Sequence, residues 1–288
     1  MAAKPRRNCG TMSVHMMLLE KHPQFRSRLM RLEQRTAQLR ATAFRVGALK
    51  RVTVKTVVNV IYKTAAQNIS LAQIRSQIAV LNRDFGATNP DRAKVPTPWK
   101  GLVSDSRIAF RLVKVRRVHT NVAVFDQNDG MKAGGTGGIA PYKPLTHLNL
   151  WVCALGGGLL GYAQFPGGPS ATDGVVINHT AFGTQGTAKA PFNLGRTATH
   201  EVGHYFNLRH IWGDTEDCSA GDLVADTPNA ATPNYGKPSF PSVSCSNGPN
   251  GDMFVNYMDY VDDAAMFMFT TQQVARMRAT LNTLRTRL

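Results

Sequence analysis

The hydrophobic pattern predicts β-strands in four stretches of the chain. Val52–Tyr62 (VTVKTVVNVIY) is rich in β-branched side chains, and residues 107–118 alternate with a period of two. Residues 148–154 and 174–178 predict two further strands. The segment between them, GYAQFPGGPS, is rich in glycine and proline, so we expect turns there.

Helical periodicity marks four other stretches. In residues 71–85 the apolar positions follow helical spacing, at Leu71, Ile74, Ile78, Leu81 and Phe85. Ser70 precedes this stretch and Gln73 follows three residues later, which predicts a capping box. Residues 23–39, 196–207 and 271–284 predict three more helices. The inward face of the last one would carry Val274, Met277 and Leu281.

The order of these elements predicts an α+β fold. A mixed twisted sheet would pack on two helices, and an irregular lower part closed by a C-terminal helix would follow. The glycine-rich residues 129–140 are not followed by the Lys-Ser or Lys-Thr of a phosphate-binding loop, so we expect a flexible surface connection.

The charge of the chain is concentrated at its start. The net charge is +16, and residues 1–51 hold 12 of the 34 Lys and Arg but only two of the 18 acids. Ten acids fall between Glu201 and Asp263. No basic stripe is interleaved with aromatic residues, so we do not expect nucleic-acid binding. We expect no membrane association either, because glycines interrupt the most apolar stretch.

Four cysteines without CxxC spacing do not form a disulfide scaffold. A bridge between Cys218 and Cys245 would close a long loop-rich segment, and Cys153 suits a buried strand. Cys9 lies apart, among arginines. The start, MAAKPRRNCG, contains no apolar signal-peptide core, and we expect a secreted protein whose leader is not part of this sequence.

The segment HEVGHYFNLRH carries the most specific chemical signal. His200 and His204 lie four residues apart and share one face of a helix. Glu201 lies about 100° round the helix axis, where it can reach a water without binding a metal. His210 joins them only if the chain turns sharply at Asn207, a residue type that tolerates a left-handed backbone.

These residues predict a zinc site with three imidazole ligands and a fourth position open to water, as catalysis requires. Two core histidines would explain His200 and His204 but not Glu201 and His210. A structural zinc site would normally be completed by cysteine, and none stands beside the histidines. Met258 in NYMDY, 48 residues after His210, predicts a tight turn beneath the metal.

The expected chemistry is peptide hydrolysis. Zinc held by neutral imidazoles keeps its full charge and polarises a peptide carbonyl. Glu201 would take the proton of the attacking water and pass it to the leaving amine. Tyr260 could donate a hydrogen bond to the oxyanion; the alternative is an ordinary core tyrosine.

HEVGHYFNLRH followed by NYMDY resembles the metzincin metalloendopeptidases. The segments TDGVVINHTAFGT, FNLGRTATHEVGH, HIWGD, LVADTP and MFVNYMDYVDD are similar to the pappalysin branch, across roughly residues 50–285. The resemblance implies an upper subdomain, residues 51–207, with a twisted sheet, a backing helix and the active-site helix. A lower subdomain, residues 208–288, would hold the Met-turn and the C-terminal helix.

The chain departs from the family pattern in two places. Asn207 stands where glycine is usual in metzincins, and it meets the same backbone need. Cys218 and Cys245 match one of the two disulfides of the family's lower subdomain. Lys237 and Ala265 occupy the positions of the second, so the resemblance implies a somewhat looser lower part.

The resemblance also implies a role for Cys9, because related proenzymes stay latent through a cysteine that binds zinc. In RRNCGT the flanking arginines would lower the pKa of the thiol. Residues 1–50 would then form a basic prosegment that lies against an acidic cleft and is cleaved within residues 45–51. The alternative is a disordered free thiol.

Two further sites follow from the resemblance. In ulilysin-like members an acid at the position of Asp263 selects Arg or Lys after the scissile bond; the alternative is that Asp262 and Asp263 are solvated loop acids. The run GDLVADTP would bind calcium through Asp222 and Thr227 and through the backbone oxygens of Gly221 and Ala225.

Together these features predict a latent, secreted, monomeric zinc endopeptidase that acts on proteins or peptides and is inhibited by its own prosegment. Two rival hypotheses remain at this point. One is a zinc exopeptidase, and the other is a basic non-catalytic binding module that contains zinc.

Overall fold

The computed structural model describes residues 5–41 and 49–288. Two α-helices precede the first of five strands, a third lies between the first and second strands, and two follow the last strand. The helices are α1 Thr11–Lys21, α2 Pro23–Ala41, α3 Leu71–Phe85, α4 Arg196–Tyr205 and α5 Thr271–Leu281. The strands are β1 Val52–Tyr62, β2 Ile108–His119, β3 Leu148–Cys153, β4 Gly161–Ala163 and β5 Val175–Asn178.

The strands form one sheet in the order β2-β1-β3-β5-β4. The pairs among β2, β1, β3 and β5 are parallel, and β4 pairs antiparallel with β5 at the edge. This confirms the predicted mixed sheet. The prediction of turns is wrong for residues 161–163, because three residues are too few to show an alternating pattern and the pairing with β5 decides their structure.

Both faces of the sheet are covered. Side chains such as Val54, Val58 and Leu150 belong to the core cluster that includes the buried residues of α3 and α4. On the opposite face, Trp151 and Tyr162 share a second cluster with residues of α1 and the start of α2. The N-terminal segment, residues 5–41, is therefore packed into the body. We call it the arm.

Helix α3 begins as expected at Ser70, whose hydroxyl accepts the N–H of Gln73 at 3.1 Å. The reciprocal half of the predicted capping box is absent at this residue pair. Instead, the Gln73 side chain donates to the carbonyl of Phe182 at 2.8 Å and accepts the N–H of Thr187 at 3.1 Å. It therefore ties α3 to the segment that leads to α4.

The glycine-rich connection is not wholly a surface loop. Met131 and Lys132 are buried, and Lys132 forms an ion pair with Asp129 at 2.7 Å. The Lys132 ammonium also lies 5.4 Å from the ring centre of Trp151. This pairing offsets the cost of burying a charge and fixes the loop to the sheet.

The lower part is irregular, as predicted, and α5 closes it. Cys218 and Cys245 form a disulfide with a Cα–Cα distance of 5.8 Å. Cys153 is a buried residue of β3.

Candidate active site

Helix α4 carries the first two candidate ligands and is buried along its whole length. Arg196 anchors its first turn through ion pairs with Asp84 at 3.1 Å and Asp91 at 2.9 Å. Its guanidinium also donates to the carbonyls of Asp263 and Met266. These bonds attach α4 to α3 and to the lower part, and so fix the positions of His200 and His204.

The three histidines converge on one point. The Nε2 atoms of His200 and His204 are 3.2 Å apart, and that of His210 lies 3.2 and 3.1 Å from them. The chain reverses at Asn207, whose φ of 75° is left-handed. This corner ends the helix and returns His210 to the face that carries the other two.

Hydrogen bonds at the other ring nitrogens orient the imidazoles. In His200, Nδ1 lies 2.7 Å from the carbonyl oxygen of Tyr257. In His204, Nδ1 lies 2.8 Å from the carbonyl oxygen of Leu208. Nδ1 of His210 faces a carboxylate oxygen of Asp214 at 2.5 Å. Each acceptor requires a proton on Nδ1, so three Nε2 lone pairs meet with no proton between them.

Such a cluster of lone pairs needs a cation. Tetrahedral zinc with Zn–N bonds of about 2.0–2.1 Å places its nitrogens about 3.4 Å apart, close to the distances found here. The carbonyl and carboxylate partners are those that orient metal-binding histidines. Within residues 5–41 and 49–288, the side chains that could jointly hold a metal are Cys9 and these three histidines, whose ligand atoms all lie within 4.8 Å of one another. The donor set fits zinc.

Met258, where the sequence predicted a tight turn, packs against the helix that carries the first two histidines, and its carbonyl accepts the N–H of Ile211 at 3.4 Å. It is fully buried, and a Cβ added at Gly203 would lie 2.5 Å from its sulfur. Glycine is therefore needed in the helix at that position, because the methionine approaches the helix backbone.

Glu201 points into the same site. It is buried, and burial raises its pKa to about 7. One carboxylate oxygen accepts the hydroxyl of Thr11 at 2.9 Å and the thiol of Cys9 at 3.3 Å. Both partners belong to the arm, so the arm occupies the hydrogen-bonding capacity of this carboxylate.

The prediction that neighbouring arginines lower the pKa of Cys9 is wrong. Burial and the negative charge of Glu201 raise that pKa well above its ordinary value. The arginines point elsewhere: Arg6 lies over the ring of Tyr235 at 4.8 Å, and Arg7 reaches Asp263. A bound metal would supply the charge that favours the thiolate, since a coordinating thiol loses its proton.

The arm lies along the free edge of β4 like an added strand. Gly10 donates to the carbonyl of Gly161 at 2.9 Å, and Leu160 donates to the carbonyl of Asn8 at 2.9 Å. Cys9 pairs with Gly161 in the parallel sense. The next edge donor, the N–H of Ala163, is taken by the Thr11 hydroxyl at 2.9 Å. The arm thus blocks the sheet edge beside the metal cluster.

Arg7 fills a buried pocket next to this edge. Its guanidinium lies 2.7 Å from a carboxylate oxygen of Asp263, and the two side chains are 1% and 0% exposed. It also donates to the carbonyl of Val261 at 3.1 Å and to the hydroxyl of Thr197 at 3.0 Å, and it lies over the ring of Phe192 at 5.0 Å. Arg7 is therefore held by charge, hydrogen bonds and an aromatic face together.

Asp263 is not a solvated loop acid. Besides Arg7, its second oxygen accepts the N–H groups of Leu194 at 2.8 Å and Arg196 at 3.2 Å. The neighbouring Asp262 is half-buried, and its N–H donates to the carbonyl of Gly236 at 2.8 Å. The carboxylate of Asp263 thus forms the floor of the pocket that Arg7 occupies.

Tyr260 reaches the arm at the position of Cys9. Its hydroxyl donates to the Cys9 carbonyl at 3.3 Å, and its ring lies 4.9 Å from that of His210 and 4.7 Å from that of Trp212. Tyr260 is therefore packed like a core residue yet presents its hydroxyl to the cleft.

The predicted calcium segment forms a turn that is hydrogen-bonded to the start of α5 through Asp226. Asp222 is buried, and burial raises its pKa to about 7. Its carboxylate accepts the hydroxyl of Thr227 at 2.9 and 2.8 Å and the N–H of Val224 at 3.0 Å. Gly221 precedes the turn and Ala225 lies within it. Asp222 and Thr227 are thus brought together, and each satisfies the other.

Several residues of the site were missed by sequence reasoning. Arg196 and Thr11 gave no pattern of their own, and Arg7 was considered only for its effect on Cys9. The arm's positive charge was expected to lie against an acidic cleft, and this holds only in part. Among the arm residues that the structure describes, Arg7 forms an ion pair with Asp263. At Glu33 the charges are reversed, because this acid of the arm pairs with Arg276 of the body.

The described segments contain no helix long and apolar enough to cross a membrane. A family model described as Pregnancy-associated plasma protein-A, of a peptidase family, matches residues 148–282. An extracellular metalloprotease of Pyricularia oryzae is 36% identical over 236 residues, which cover 78% of this chain and 73% of that protein.

Two solved structures from Tannerella forsythia are similar to the whole fold. Mature mirolysin in complex with a cleaved peptide is 44% identical, covers 83% of this chain and 96% of that one, and gives a TM-score of 0.81. A promirolysin mutant is 40% identical, covers 98% of this chain and 96% of that one, and gives a TM-score of 0.87. The proform therefore matches a part of this chain that the mature form does not.

Proposed function

The chain belongs to the pappalysin family of metzincin metalloendopeptidases, and from that premise we propose that it is a secreted zinc endopeptidase kept latent by its own N-terminal segment. The observation that carries this proposal is the convergence of three Nε2 lone pairs within 3.2 Å, with every Nδ1 facing an acceptor. The rival hypothesis of a non-catalytic binding module is not favoured, because the relatives are peptidases.

His200, His204 and His210 would hold the zinc. When bound, zinc supplies a Lewis acid that activates water and polarises the scissile carbonyl. Glu201 would accept the proton of the attacking water and return it to the leaving amine. In the latent chain burial raises the pKa of this carboxylate to about 7, the range in which a general base gains and loses a proton at neutral pH.

Tyr260 would stabilise the negative charge that develops on the carbonyl oxygen. In the latent chain its hydroxyl already donates to a backbone carbonyl, that of Cys9, in the cleft. A substrate carbonyl at the same place would receive the same hydrogen bond, and such donors contribute most where charge develops.

Latency would depend on residues 1–50. Cys9 would take the fourth zinc position. The Thr11 hydroxyl meanwhile donates a hydrogen bond to Glu201 and accepts one from the N–H of Ala163. The arm would be released by cleavage within residues 45–51; of that stretch, residues 45–48 lie outside the described residues. The active enzyme would then consist of subdomains 51–207 and 208–288, with Met258 beneath the metal and the Cys218–Cys245 bridge in the lower one.

Substrate choice would depend on Asp263. The latent chain seats an arginine, Arg7, on this carboxylate beside the metal cluster, so the pocket accommodates a guanidinium. After release of the arm, an Arg or Lys after the scissile bond of a protein or peptide substrate would take its place.

Three coarser proposals complete the function. The names of the relatives as extracellular metalloproteases support secretion. A monomer is proposed because the arm and the site belong to one chain. A calcium ion at Asp222, Thr227 and the carbonyls of Gly221 and Ala225 would have to replace the hydrogen bonds that now join the two side chains.

Replacing Glu201 with glutamine tests the catalytic proposal. We expect casein hydrolysis, measured after one added protease has released the arm from variant and wild type alike, to fall by about 10²–10⁴-fold, because the proton acceptor is lost. Glu216→Gln, at an exposed residue, is the matched control and should keep full activity. Hydrolysis that is equal in Glu201→Gln and wild type, or unaffected by a chelator, would contradict the proposal.

A further inference from the structure

Glu33, on α2, reaches from the arm into the body of the protein at a distance from the metal cluster. Its two carboxylate oxygens accept Nη1 and Nη2 of Arg276 at 2.7 and 2.5 Å. This is the two-bond arrangement in which a guanidinium recognises a carboxylate most specifically. Glu33 is one of only two acids in residues 1–51, so this contact is an exception to the arm's basic character.

The body provides a prepared slot for this carboxylate. Arg276, on α5, is 1% exposed, and its Nε donates to the carbonyl of Asn207 at 2.6 Å. The side-chain amide of Asn207 donates to Glu33 at 3.1 Å. A bound carboxylate thus receives three hydrogen bonds, and the Nε bond fixes the orientation of the guanidinium.

A second cation lies beside the slot. Arg209 is close enough to Arg276 and Glu33 to interact electrostatically with both. Arg209 and Glu33 line one cavity of about 420 Å³. The other residues that line the cavity, such as His15 and Leu19, belong to the arm, so the cavity lies between the arm and Arg209.

Removal of the arm would leave the slot without its carboxylate. Release of the arm also uncovers Arg276, because α2 packs against α5, while the Nε bond to Asn207 keeps the guanidinium oriented for another carboxylate. This step rests on the proposed function, since it requires that the arm be released.

We propose that Arg276, Arg209 and Asn207 form a carboxylate-binding site, filled by Glu33 in the latent chain and open to another carboxylate after maturation. An occupant touches Asn207, the corner residue that returns His210 to the metal ligands. Occupancy therefore stabilises the corner, and with it the position of the third ligand.

Chemical rescue tests the site in the full chain. Glu33→Ala opens the slot, and the Glu201→Ala background prevents self-cleavage. We expect Glu33→Ala to lower the melting temperature and sodium acetate to restore at least half of the loss, in a saturable manner. Sodium chloride at equal ionic strength and neutral acetamide should restore nothing.

Two variants make the result specific. Glu20→Ala, at the arm's other and exposed acid, should neither lower the melting temperature nor respond to acetate. Glu33→Gln fills the slot and should lose stability without being rescued. Equal acetate effects in all variants, or no rescue of Glu33→Ala, would overturn the proposal.

The natural carboxylate could come from a small molecule or from a protein side chain. The melting temperature of the self-processed wild-type protein, measured with each kind of probe, distinguishes these two sources. Stabilisation by acetate indicates a small-molecule occupant. Stabilisation by a short glutamate peptide, but not by its glutamine analogue, indicates a protein side chain. Stabilisation by neither overturns the site in the mature protein. The Glu33→Ala experiment needs no peptide hydrolysis, so its failure leaves the proposed protease activity untouched.

Discussion

At the scale of single residues, the site depends on which partner each buried polar group finds. Asp263 shows this best, because its negative charge is matched in the latent chain by Arg7 and by two backbone N–H groups. The position in sequence shows an acid after the Met-turn. The family resemblance implies that this acid selects Arg or Lys, and the structure shows the buried pocket in which it holds Arg7.

Asp263→Asn should weaken cleavage before Arg and Lys. The amide keeps an acceptor for the backbone N–H groups but loses the charge, and a charged hydrogen bond is worth about 1.5–3 kcal/mol. We expect kcat/KM for peptides with Arg after the scissile bond to fall about 10–100-fold relative to peptides with Leu there. Asp262→Asn serves as control, and an unchanged preference in Asp263→Asn would reject the pocket's role.

A second prediction at this scale concerns His15 on α1. It is 6% exposed, and its ring lies 4.8 Å from that of Phe165 and 5.4 Å from that of Phe25. Burial, and then the positive charges of Arg209 and Arg26, lower its pKa from 6.5 to about 4, and Asp214 acts in the opposite direction. The docked arm therefore favours neutral His15.

The pH dependence follows from this direction. Above pH 6.5 the histidine is neutral whether the arm is docked or free, and its contribution does not change. As pH falls from 6.5 to about 4, the free state binds the proton first, so docking weakens by up to about 3 kcal/mol.

Calorimetry of wild type and His15→Phe between pH 7.5 and 4 measures this loss. Acid effects on the zinc ligands are common to both proteins, so their difference isolates His15. We expect wild type to lose more stability than His15→Phe as pH falls. Parallel curves would contradict the assignment.

At the scale of elements, the corner after α4 decides whether the third histidine reaches the metal. Asn207 has φ 75°, which is strained for a residue with a Cβ but accessible to asparagine and glycine. The same residue joins α2, α4 and α5 through its amide and carbonyl. The corner is thus both a turn and a junction.

Replacing Asn207 with glycine or alanine separates these two functions. Both variants lose the amide bond to Glu33, so the difference between them reports the backbone. We expect Asn207→Ala to be less stable than Asn207→Gly by about 1 kcal/mol and to bind zinc more weakly. Urea unfolding and metal analysis provide the measurements, and an alanine variant as stable as glycine would refute the backbone explanation.

At the scale of the whole molecule, the metal cluster joins the two proposed subdomains. His200 and His204 come from α4, His210 follows the corner, and Met258 packs against α4 at Gly203. The arm crosses this junction and contacts both sides, through Gly161 at the sheet edge and Asp263 below. A ligand at the junction therefore stabilises the fold as a unit.

Removal of zinc should destabilise the full chain. A ligand present at a hundred times its Kd adds about 2.7 kcal/mol, which corresponds to several degrees in melting temperature. We expect a chelator to lower Tm by that amount and added zinc, but not magnesium, to restore it. A melting temperature indifferent to the chelator would show that zinc does not hold the subdomains together.

The sequence by itself determined the local elements and the identity of the ligands. Helix α3, strand β1 and the HExxH segment were predictable because each depends on neighbours a few residues away. The Asn207 corner was predictable for the same reason, since the third histidine requires a turn and asparagine tolerates it. The free Cys9 and the Cys218–Cys245 pair could be named from the family resemblance.

The tertiary structure alone decided what the polar side chains face. Strand β4 exists through its pairing with β5, the Cys9 thiol is governed by burial and Glu201 and not by its arginine neighbours, and Arg7 and Glu33 find partners more than two hundred residues away. Charges and hydrogen bonds act through space, so contacts between distant parts of a chain leave no periodic trace in its sequence.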